Sequence, residues 1–174
     1  MSTADTATWT ITPATDADRA QWQRLYLAYG EVAGEALSGE HLARVWSWIV
    51  DPQAQTRCLL LREHEQQEVV GLAHYRLFER PLAGSIGCWL DDLFVDPGQR
   101  GRGGARAVLE HLRAMAAGEG WSTVRWTTGQ ANSAQELYDR LADRSPVITT
   151  TCSRSHPQTR TERGMSARSV RRFF

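Results

Sequence analysis

The chain has 174 residues, which suits a single domain with a sizeable core, and it has no apolar run near the roughly 20 residues that would span a membrane. The N-terminus lacks a secretory signal pattern and the three cysteines show no paired spacing, so we expect a cytoplasmic protein with reduced thiols and no disulfide framework. The net charge of zero conceals a split: residues 1–151 carry 14 Arg against 19 Asp and Glu, whereas residues 152–174 carry six Arg against one Glu. An acidic body of this kind suits a positively charged substrate.

The first half of the chain contains two predicted helices among predicted strands. Apolar residues recur at helical spacing in two segments, and short apolar runs between turn signals indicate strands. Ser38 can cap the second helix, and Asp51-Pro52 ends it. The predicted order is a strand at residues 9–12, a helix from residue 15 or 16 to about residue 29, a loop at residues 30–38, a helix at residues 38–50, and strands at residues 57–62 and 69–78.

The second half is organised around a strand, a glycine-rich turn and a helix. Residues 88–95 form the predicted strand, Asp96-Pro97-Gly98 breaks it, and Gly120 ends the amphipathic helix that starts near Ala105. The remaining elements are a strand at residues 122–128, a short helix from residue 132 or 133 to residue 141, and a last strand at residues 147–151. This order predicts an α/β layered domain with a mixed sheet flanked by helices.

Between the predicted strand and helix lies Arg100-Gly101-Arg102-Gly103-Gly104-Ala105. Glycines let a backbone approach a ligand closely, and the first amides of a helix have no partner within it. Such a helix start binds phosphate through free N–H groups and the positive end of the helix dipole. The chain contains no lysine, which excludes a P-loop, and Arg106 stands where a dinucleotide fingerprint needs its third glycine.

The segment fills the pattern Arg/Gln-x-x-Gly-x-Gly/Ala with Arg100, Gly103 and Ala105, directly after a strand that ends in Asp96-Pro97. In this context it resembles the pyrophosphate loop of the GNAT N-acetyltransferases, which holds the diphosphate of acetyl-CoA. The resemblance extends over about residues 9–151. It implies the GNAT fold, with a mixed and mostly antiparallel central sheet, and acetyl-CoA as co-substrate. The five histidines are scattered, and none pairs with a Cys or carboxylate at metal-site spacing, so no metal is expected.

Two neighbouring carboxylates, Asp91 and Asp92, lie on the strand before the loop. The run from Leu90 to Val95 is similar to the Leu-Glu-Asp-Phe-Phe-Val of the di- and polyamine acetyltransferase branch, whose catalytic glutamate aligns with Asp91. The resemblance implies that Asp91 is the base and acts through a water, since it is one methylene shorter. Neighbours on a strand point to opposite faces, so we expect only one of the two to face the acetyl group. Asp92 is either the alternative base or a structural acceptor held by backbone amides or an Arg.

Further coenzyme contacts follow from the same resemblance. The backbone groups of three residues on the strand are expected to bind the acetyl carbonyl and pantetheine, and the loop to bind the diphosphate. The family usually places an Asn that contacts the coenzyme arm three residues before the Ala that corresponds to Ala134, whereas Asn132 stands two before. Either the loop is one residue shorter here or this contact is lost. The candidate coenzyme-binding residues are Leu93, Phe94, Val95, Arg100, Gly101, Arg102, Gly103, Gly104, Ala105 and Asn132.

Tyr138 is the second catalytic candidate. Ala134-x-x-Leu137-Tyr138 resembles the Ala-x-x-Leu-Tyr of the family's last helix, whose tyrosine hydroxyl lies by the coenzyme sulfur. A phenol there can donate a proton or a hydrogen bond to the leaving thiolate. The alternative is a helix tyrosine that packs its ring in the core.

Aromatic and acidic residues fall where the family builds its acceptor pocket, and such groups suit a cation. They are Trp22, Tyr26, Tyr29, Glu31, Glu35, Trp46, Trp48 and Trp89. The candidate acceptors are small-molecule and peptide amines: a polyamine, an amino sugar antibiotic, an amino acid or a protein lysine. The sequence does not distinguish among them.

The sequence therefore predicts a GNAT acetyltransferase domain at residues 1–151 and a basic, flexible tail at residues 152–174. The predicted reaction is direct transfer of acetyl from acetyl-CoA to a primary amine in a ternary complex. One alternative is an acyl-CoA-binding sensor with weak catalysis. Another is a nucleic-acid-associated protein. The six arginines of the tail are weak evidence for it, because no aromatic residues are interleaved with them. A membrane partner is not expected, and a homodimer is left open.

Overall fold

The computed structural model describes residues 9–63, 68–129 and 134–145. The chain divides into two compact units, Met1–Thr128 and Gly129–Phe174. All of the described strands and three of the described α-helices belong to the first unit, and one described α-helix belongs to the second. The predicted tail at residues 152–174 and the predicted strand at residues 147–151 lie outside the described residues.

In the part of the chain that the structure describes, five strands form one sheet in the order β1-β2-β3-β4-β5. Neighbours from β1 to β4 are antiparallel, whereas β5 pairs with β4 in parallel. The strands are β1 (Trp9–Pro13), β2 (Arg57–Glu63), β3 (Val69–Arg80), β4 (Ser85–Val95) and β5 (Val124–Arg125). The predicted fold class, α/β with a mixed and mostly antiparallel sheet flanked by helices, is confirmed.

Among the described residues, three α-helices belong to the first unit, α1 (Arg19–Ala33), α2 (Gly39–Val50) and α3 (Gly104–Glu119), and α4 (Gln135–Leu141) belongs to the second. The Ser38 side chain caps α2 by accepting a hydrogen bond of 3.1 Å from the N–H of His41, as expected for Ser at an N-cap. Gly120 adopts the left-handed conformation at the end of α3, with a φ of 72°, in agreement with the predicted helix end.

Helix α1 is longer than its sequence predicts. The predicted loop at residues 30–38 is wrong in its first part, because the helix continues to Ala33 and ends at Gly34, whose φ of 77° is left-handed. Gly30 is a buried helical residue, and a Cβ there would lie 2.8 Å from Cγ of Leu37. This glycine therefore makes room for the following loop and does not break the helix.

Two strand boundaries also differ from the prediction. β4 begins at Ser85, three residues before Cys88, because it continues the antiparallel ladder with β3 down to the turn between them. β5 is limited to two residues, whereas alternation predicts residues 122–128, because it pairs with β4 only opposite Cys88 and Trp89.

Helices α1 and α2 cover one face of the sheet, which we call the α1/α2 face. Apolar side chains of both helices pack there against β2, β3 and β4, and Leu60, Leu72 and Phe94 belong to this cluster. Leu61 points to the opposite face and contacts the start of α3, where a Cβ on Gly104 would lie 2.7 Å from Cδ2 of Leu61. The absence of a side chain at Gly104 thus lets α3 approach the sheet closely.

Candidate functional site

The antiparallel register of β3 and β4 is interrupted in the middle of both strands. His74 lies opposite Asp92, but the next residue, Tyr75, lies opposite Leu90. Asp91 therefore has no partner on β3 and is the extra residue of a β-bulge. Bulges redirect side chains, and this one lies in the strand that precedes the glycine-rich loop.

Both carboxylates point to the α1/α2 face. Oδ2 of Asp92 lies 2.8 Å from Nδ1 of His74, and Oδ2 of Asp91 accepts from Nε of Arg76 at 3.1 Å. His74 and Arg76 are two residues apart on β3, so their side chains share a face. The alternation that was expected for neighbours on a strand fails at Asp91 and Asp92, because the bulge interrupts β4. Which of the two faces the acetyl group stays a prediction.

The Asp91 carboxyl is partly enclosed, with 37% of its side chain exposed. Burial raises the pKa of Asp91, and the guanidinium of Arg76 offsets part of that effect; the charge of Asp92 raises the pKa further. The net result is a pKa above the ordinary value for aspartate. A carboxylate with a raised pKa accepts protons more readily than an ordinary one, which suits a general base.

A buried histidine of the protein core hydrogen-bonds the Asp92 carboxylate and fixes its position. This histidine, His74, is only 2% exposed, and Nε2 of its ring lies 2.9 Å from Nε1 of the buried Trp22. The sequence predicts backbone amides or an Arg as the partners of a structural Asp92. In the part of the chain that the structure describes, His74 takes that place.

The second half of β4 has an edge with no strand partner among the described residues, since β5 pairs only with Cys88 and Trp89. Beyond this point, the N–H of Asp96 donates to the carbonyl of Val70 on β3 at 2.8 Å. The alternation of an antiparallel ladder then directs the backbone groups of Phe94 to β3, and those of Leu93 and Val95 to the open edge. The role of all three in coenzyme binding stays a prediction.

The glycine-rich loop leads from this open edge into α3. Gly101 and Gly103 have φ values of 77° and 86°, in the region where a Cβ is disfavoured. Gly103 is the N-cap of α3 and supplies no side-chain cap, so the N–H groups of Gly104, Ala105 and Arg106 begin the helix without a helical carbonyl to bond. A Cβ on Gly103 would meet no heavy atom within 4 Å, so the space beside the loop is open.

Two arginines attach the loop to the sheet. Nη2 of Arg102 lies 2.6 Å from Oε1 of Glu63, and its backbone carbonyl accepts a bond of 3.1 Å from the indole N–H of Trp9. Nε of Arg100 donates to the carbonyl of Val95 at 3.0 Å. Both arginines are exposed residues, so they leave positive charge beside the helix start.

Aromatic rings flank the carboxylates on the α1/α2 face. The ring of Tyr26 stacks on Trp22 with a centroid distance of 5.1 Å and meets His74 edge-on at 5.0 Å. Tyr29 lies 5.6 Å from the ring of Phe94. Tyr26 and Tyr29 are half-buried, and the Tyr26 ring lies near Asp92, whose charge raises the pKa of its phenol.

The four tryptophans assigned to an acceptor pocket divide into two groups. Trp22 and Trp46 are 0% and 5% exposed and are core residues. Trp48 is 45% exposed, and Trp89 is half-buried with the guanidinium of Arg76 5.8 Å from its ring centroid. Trp89 therefore contacts Arg76, the partner of Asp91.

Tyr138 belongs to α4 and hence to the second unit. Its side chain is partly buried, and burial raises the pKa of its phenol, so the hydroxyl keeps its proton at neutral pH. That protonation state suits a proton donor, although its place beside the coenzyme sulfur stays a prediction. Asn132 lies outside the described residues.

His74 and Arg76 are functional candidates that the sequence prediction missed. Both lie on β3, which carries no recognisable motif, and the sheet register alone brings them to Asp92 and Asp91. The available signal was a histidine within the otherwise apolar run Val69–Tyr75, since a polar side chain in a buried strand needs a partner.

Comparison with known proteins identifies the family. Residues 19–142 match the sequence profile described as the acetyltransferase (GNAT) family. The chain belongs to the GNAT acetyltransferase family. The resemblance deduced from the loop and its flanking elements is confirmed at this level, and the protein is an acyltransferase by family. The family match does not single out the di- and polyamine branch.

Individual GNAT proteins resemble the chain at low sequence identity. The D-amino-acid N-acetyltransferase HPA3 of Saccharomyces cerevisiae is 25% identical over 132 residues, which cover 75% of this chain and 82% of the relative. The structure of a probable acetyltransferase has a TM-score of 0.77 at 20% identity and covers 84% of this chain and 99% of its own. Aminoglycoside N-acetyltransferase AAC(6')-Iy in complex with CoA has a TM-score of 0.70 at 14% identity, covering 85% and 96%. These structural likenesses establish a shared fold.

The described residues offer neither a metal-binding group nor a membrane-spanning helix. Within residues 9–63, 68–129 and 134–145, no group of three or more His, Cys, Asp and Glu side chains is arranged to hold a metal ion. None of the helices in those same ranges is both long enough and apolar enough to cross a membrane. The candidate site consists of the bulge in β4, the open edge that follows it and the loop before α3.

Proposed function

We propose that the protein transfers an acetyl group from acetyl-CoA directly to a primary amine in a ternary complex. One observation carries this proposal: the bulge turns Asp91, a carboxylate of raised pKa, to the α1/α2 face just before the open edge of β4 and the glycine-rich loop. A proton acceptor, a line of free backbone donors and a phosphate-binding helix start thus follow one another along residues 91–106.

The open edge and the loop supply what acetyl-CoA needs. N–H groups of Leu93 and Val95 would bind the extended pantetheine arm and the acetyl carbonyl, since they point away from β3. The free N–H groups at the start of α3 would bind the diphosphate, with Arg100 and Arg102 adding positive charge. Asn132 is proposed to contact the coenzyme arm. The space beside Gly103 leaves room for the phosphates.

Acetyl transfer from a thioester to an ammonium group removes two protons from the nitrogen and supplies one to the sulfur. An alkyl ammonium has a pKa of about 10, so most of the acceptor arrives protonated and cannot attack the thioester. Asp91 would remove that proton through a water, and the amine nitrogen would then form its bond to the acetyl carbon. The nitrogen would lose a second proton through the same water to solvent as the carbon–sulfur bond breaks. Tyr138 would give a proton to the departing thiolate, which its protonated phenol allows.

The acceptor is proposed to be a cationic amine of the di- or polyamine kind. Two carboxylates and several aromatic rings border the same surface, and both kinds of group attract ammonium. Known GNAT relatives act on other amines, such as the D-amino acids named for HPA3 and the aminoglycosides named for AAC(6')-Iy. Residues 1–151 are proposed to form the catalytic domain, in the cytoplasm.

A panel of amines tests the proposal. The protein is mixed with acetyl-CoA and, in turn, putrescine, spermidine, an aminoglycoside and D- and L-amino acids, while free thiol is followed and the acetylated amine is identified by mass spectrometry. We expect turnover with at least one cationic amine. Binding of acetyl-CoA without acetylation of any amine would contradict the proposal and identify an acyl-CoA sensor instead.

A further inference from the structure

A hydrogen-bonded chain runs from the protein core to the surface beside Asp91. Trp22 and His74 are 0% and 2% exposed, and Nε1 of Trp22 lies 2.9 Å from Nε2 of His74. Nδ1 of the same ring lies 2.8 Å from Oδ2 of Asp92, whose side chain is 24% exposed. The hydrogen-bonded chain thus links a buried residue of α1 and a buried residue of β3 to a carboxylate that solvent can reach.

The chemistry of the three groups determines where the protons lie. An indole N–H can only donate, so Nε2 of His74 must be the acceptor of the bond from Trp22. The proton of a neutral imidazole then lies on Nδ1, where it is donated to the Asp92 carboxylate. A proton on Nε2 would face the indole N–H directly. Trp22 therefore fixes one tautomer of His74, and this tautomer presents a donor to Asp92.

This arrangement leaves Asp92 ready to bind a cation. One of its oxygens is held by His74, while Oδ1 has no hydrogen-bond partner among the residues that the structure describes. The phenol of Tyr26 is close enough for the charge of Asp92 to raise its pKa, in addition to the effect of burial. The ring of Tyr26 also lies edge-on to His74 at 5.0 Å, so an aromatic wall stands beside the carboxylate.

Asp91 and Asp92 have different surroundings although they are neighbours on one face. Asp91 is bonded to Arg76, whose side chain is 39% exposed, so this carboxylate shares its charge with a partner at the surface. Asp92 is bonded to Nδ1 of a ring that is itself fixed in the core, so its carboxylate has a defined direction, and it has no arginine partner in the part of the chain that the structure describes. A group of the second kind is suited to binding an ammonium ion.

We propose that Asp92 binds the ammonium group of the acceptor, and that His74 and Trp22 are positioning residues that hold Asp92 for this purpose. This inference rests on the proposed function and assigns its specificity: Asp91 accepts the proton, and Asp92 selects acceptors that carry a positive charge. Tyr26 forms the aromatic side of the same subsite.

The charge-removing variant Asp92→Asn tests the first part of the proposal. Affinity for putrescine is measured by calorimetry in the presence of CoA and, where turnover occurs, from the KM at saturating acetyl-CoA. We expect Asp92→Asn to weaken putrescine binding about tenfold or more, the effect of one lost charge-assisted bond, with the affinity for acetyl-CoA unchanged. Aniline, which is uncharged at neutral pH, should show no comparable loss. Glu79→Gln, an exposed charge removal on β3, is the matched control and should leave both values unchanged.

Two variants of His74 test the positioning role. His74→Asn keeps an N–H near the position of Nδ1, whereas His74→Phe keeps the ring shape and removes the donor. We expect His74→Phe to weaken putrescine binding as much as Asp92→Asn does, and His74→Asn to retain most of the affinity. Nitrogen-15 NMR of the histidine rings at neutral pH gives a separate readout that does not depend on activity: His74 should carry its proton on Nδ1, and Trp22→Phe should release that preference.

Each outcome has a definite consequence. Acetylation of putrescine with an unchanged KM in Asp92→Asn would overturn this inference and leave the proposed function intact. Binding of putrescine without acetylation, lost in Asp92→Asn, would support the inference and contradict the proposed function. A proton on Nε2 of His74 in the unaltered protein would overturn the positioning role, and so would equal losses of affinity in His74→Asn and His74→Phe.

Discussion

The loop before α3 and the bulge in β4 are neighbours along the chain, but different kinds of interaction build them. The loop is local: Gly101 and Gly103 adopt left-handed conformations, and a helix start follows directly. The bulge depends on β3, because Asp91 and Asp92 take their directions from the register and from Arg76 and His74. Substitutions that alter the backbone conformation of the loop should therefore weaken coenzyme binding. Substitutions on β3 should instead alter catalysis and acceptor binding.

The largest expected effect lies in the bulge. Asp91→Asn removes the proposed base, so kcat/KM should fall by roughly 100-fold or more at neutral pH. Because the pKa of Asp91 is raised, activity of the unaltered protein should fall with decreasing pH already above the ordinary titration range of aspartate. The loss in Asp91→Asn should shrink as pH rises toward the amine pKa of about 10, since solvent then supplies free amine. Turnover measured across this pH range checks all three expectations.

A substitution of Arg76 on β3 tests whether the pKa of Asp91 sets the acid side of the pH profile. Arg76→Met removes the guanidinium that lowers the pKa of Asp91, so the acid side of the pH profile should move to higher pH. Glu79→Gln removes a charge elsewhere on β3 and should leave the profile in place. Parallel profiles for Asp91→Asn and the unaltered protein would show that Asp91 is not the base, and Asp92 would then be the candidate.

The next effect lies in the loop. Gly103→Ala places a Cβ at a φ of 86°, at a cost of about 1–2 kcal/mol in that conformation, and directs it into the space assigned to the diphosphate. We expect acetyl-CoA affinity, measured by calorimetry, to fall about 10- to 100-fold. Gly34→Ala introduces the same strain at a φ of 77°, at the end of α1 and also in open space, and should leave the affinity unchanged. Equal losses in both variants would show that general destabilisation, and not the loop, is responsible.

The smallest of these effects concerns Tyr138. Replacing it with Phe removes a donor to the leaving thiolate, so kcat should fall by about tenfold, with little change in coenzyme affinity. Burial raises the pKa of its phenol, which stays protonated through the neutral range. The loss should therefore be constant with pH, in contrast to that of Asp91→Asn. A loss that disappears at high pH would assign Tyr138 a different role.

The difference between loop and bulge also explains what the sequence predicts. The loop, the helix after it and the alternating strands are encoded by neighbouring residues, so the fold class and the phosphate-binding segment could be predicted. The bulge is not encoded in this way: nothing in Leu90–Val95 reveals that Asp91 is the extra residue, because this depends on how β4 pairs with β3. His74 and Arg76 could not be assigned for the same reason, since 18 and 15 residues separate them from their partners.

One measurement tests most directly whether coenzyme binds along the open edge and the loop. The uniformly nitrogen-15-labelled protein is titrated with acetyl-CoA, and the backbone amide signals are followed by NMR. The largest shifts are predicted at Leu93 and Val95 on β4 and at Gly103, Gly104, Ala105 and Arg106 around the start of α3, with a smaller shift at Phe94, whose backbone is directed to β3. Shifts confined to other parts of the chain, with these amides unmoved at saturation, would contradict the assignment of this edge and loop to the coenzyme.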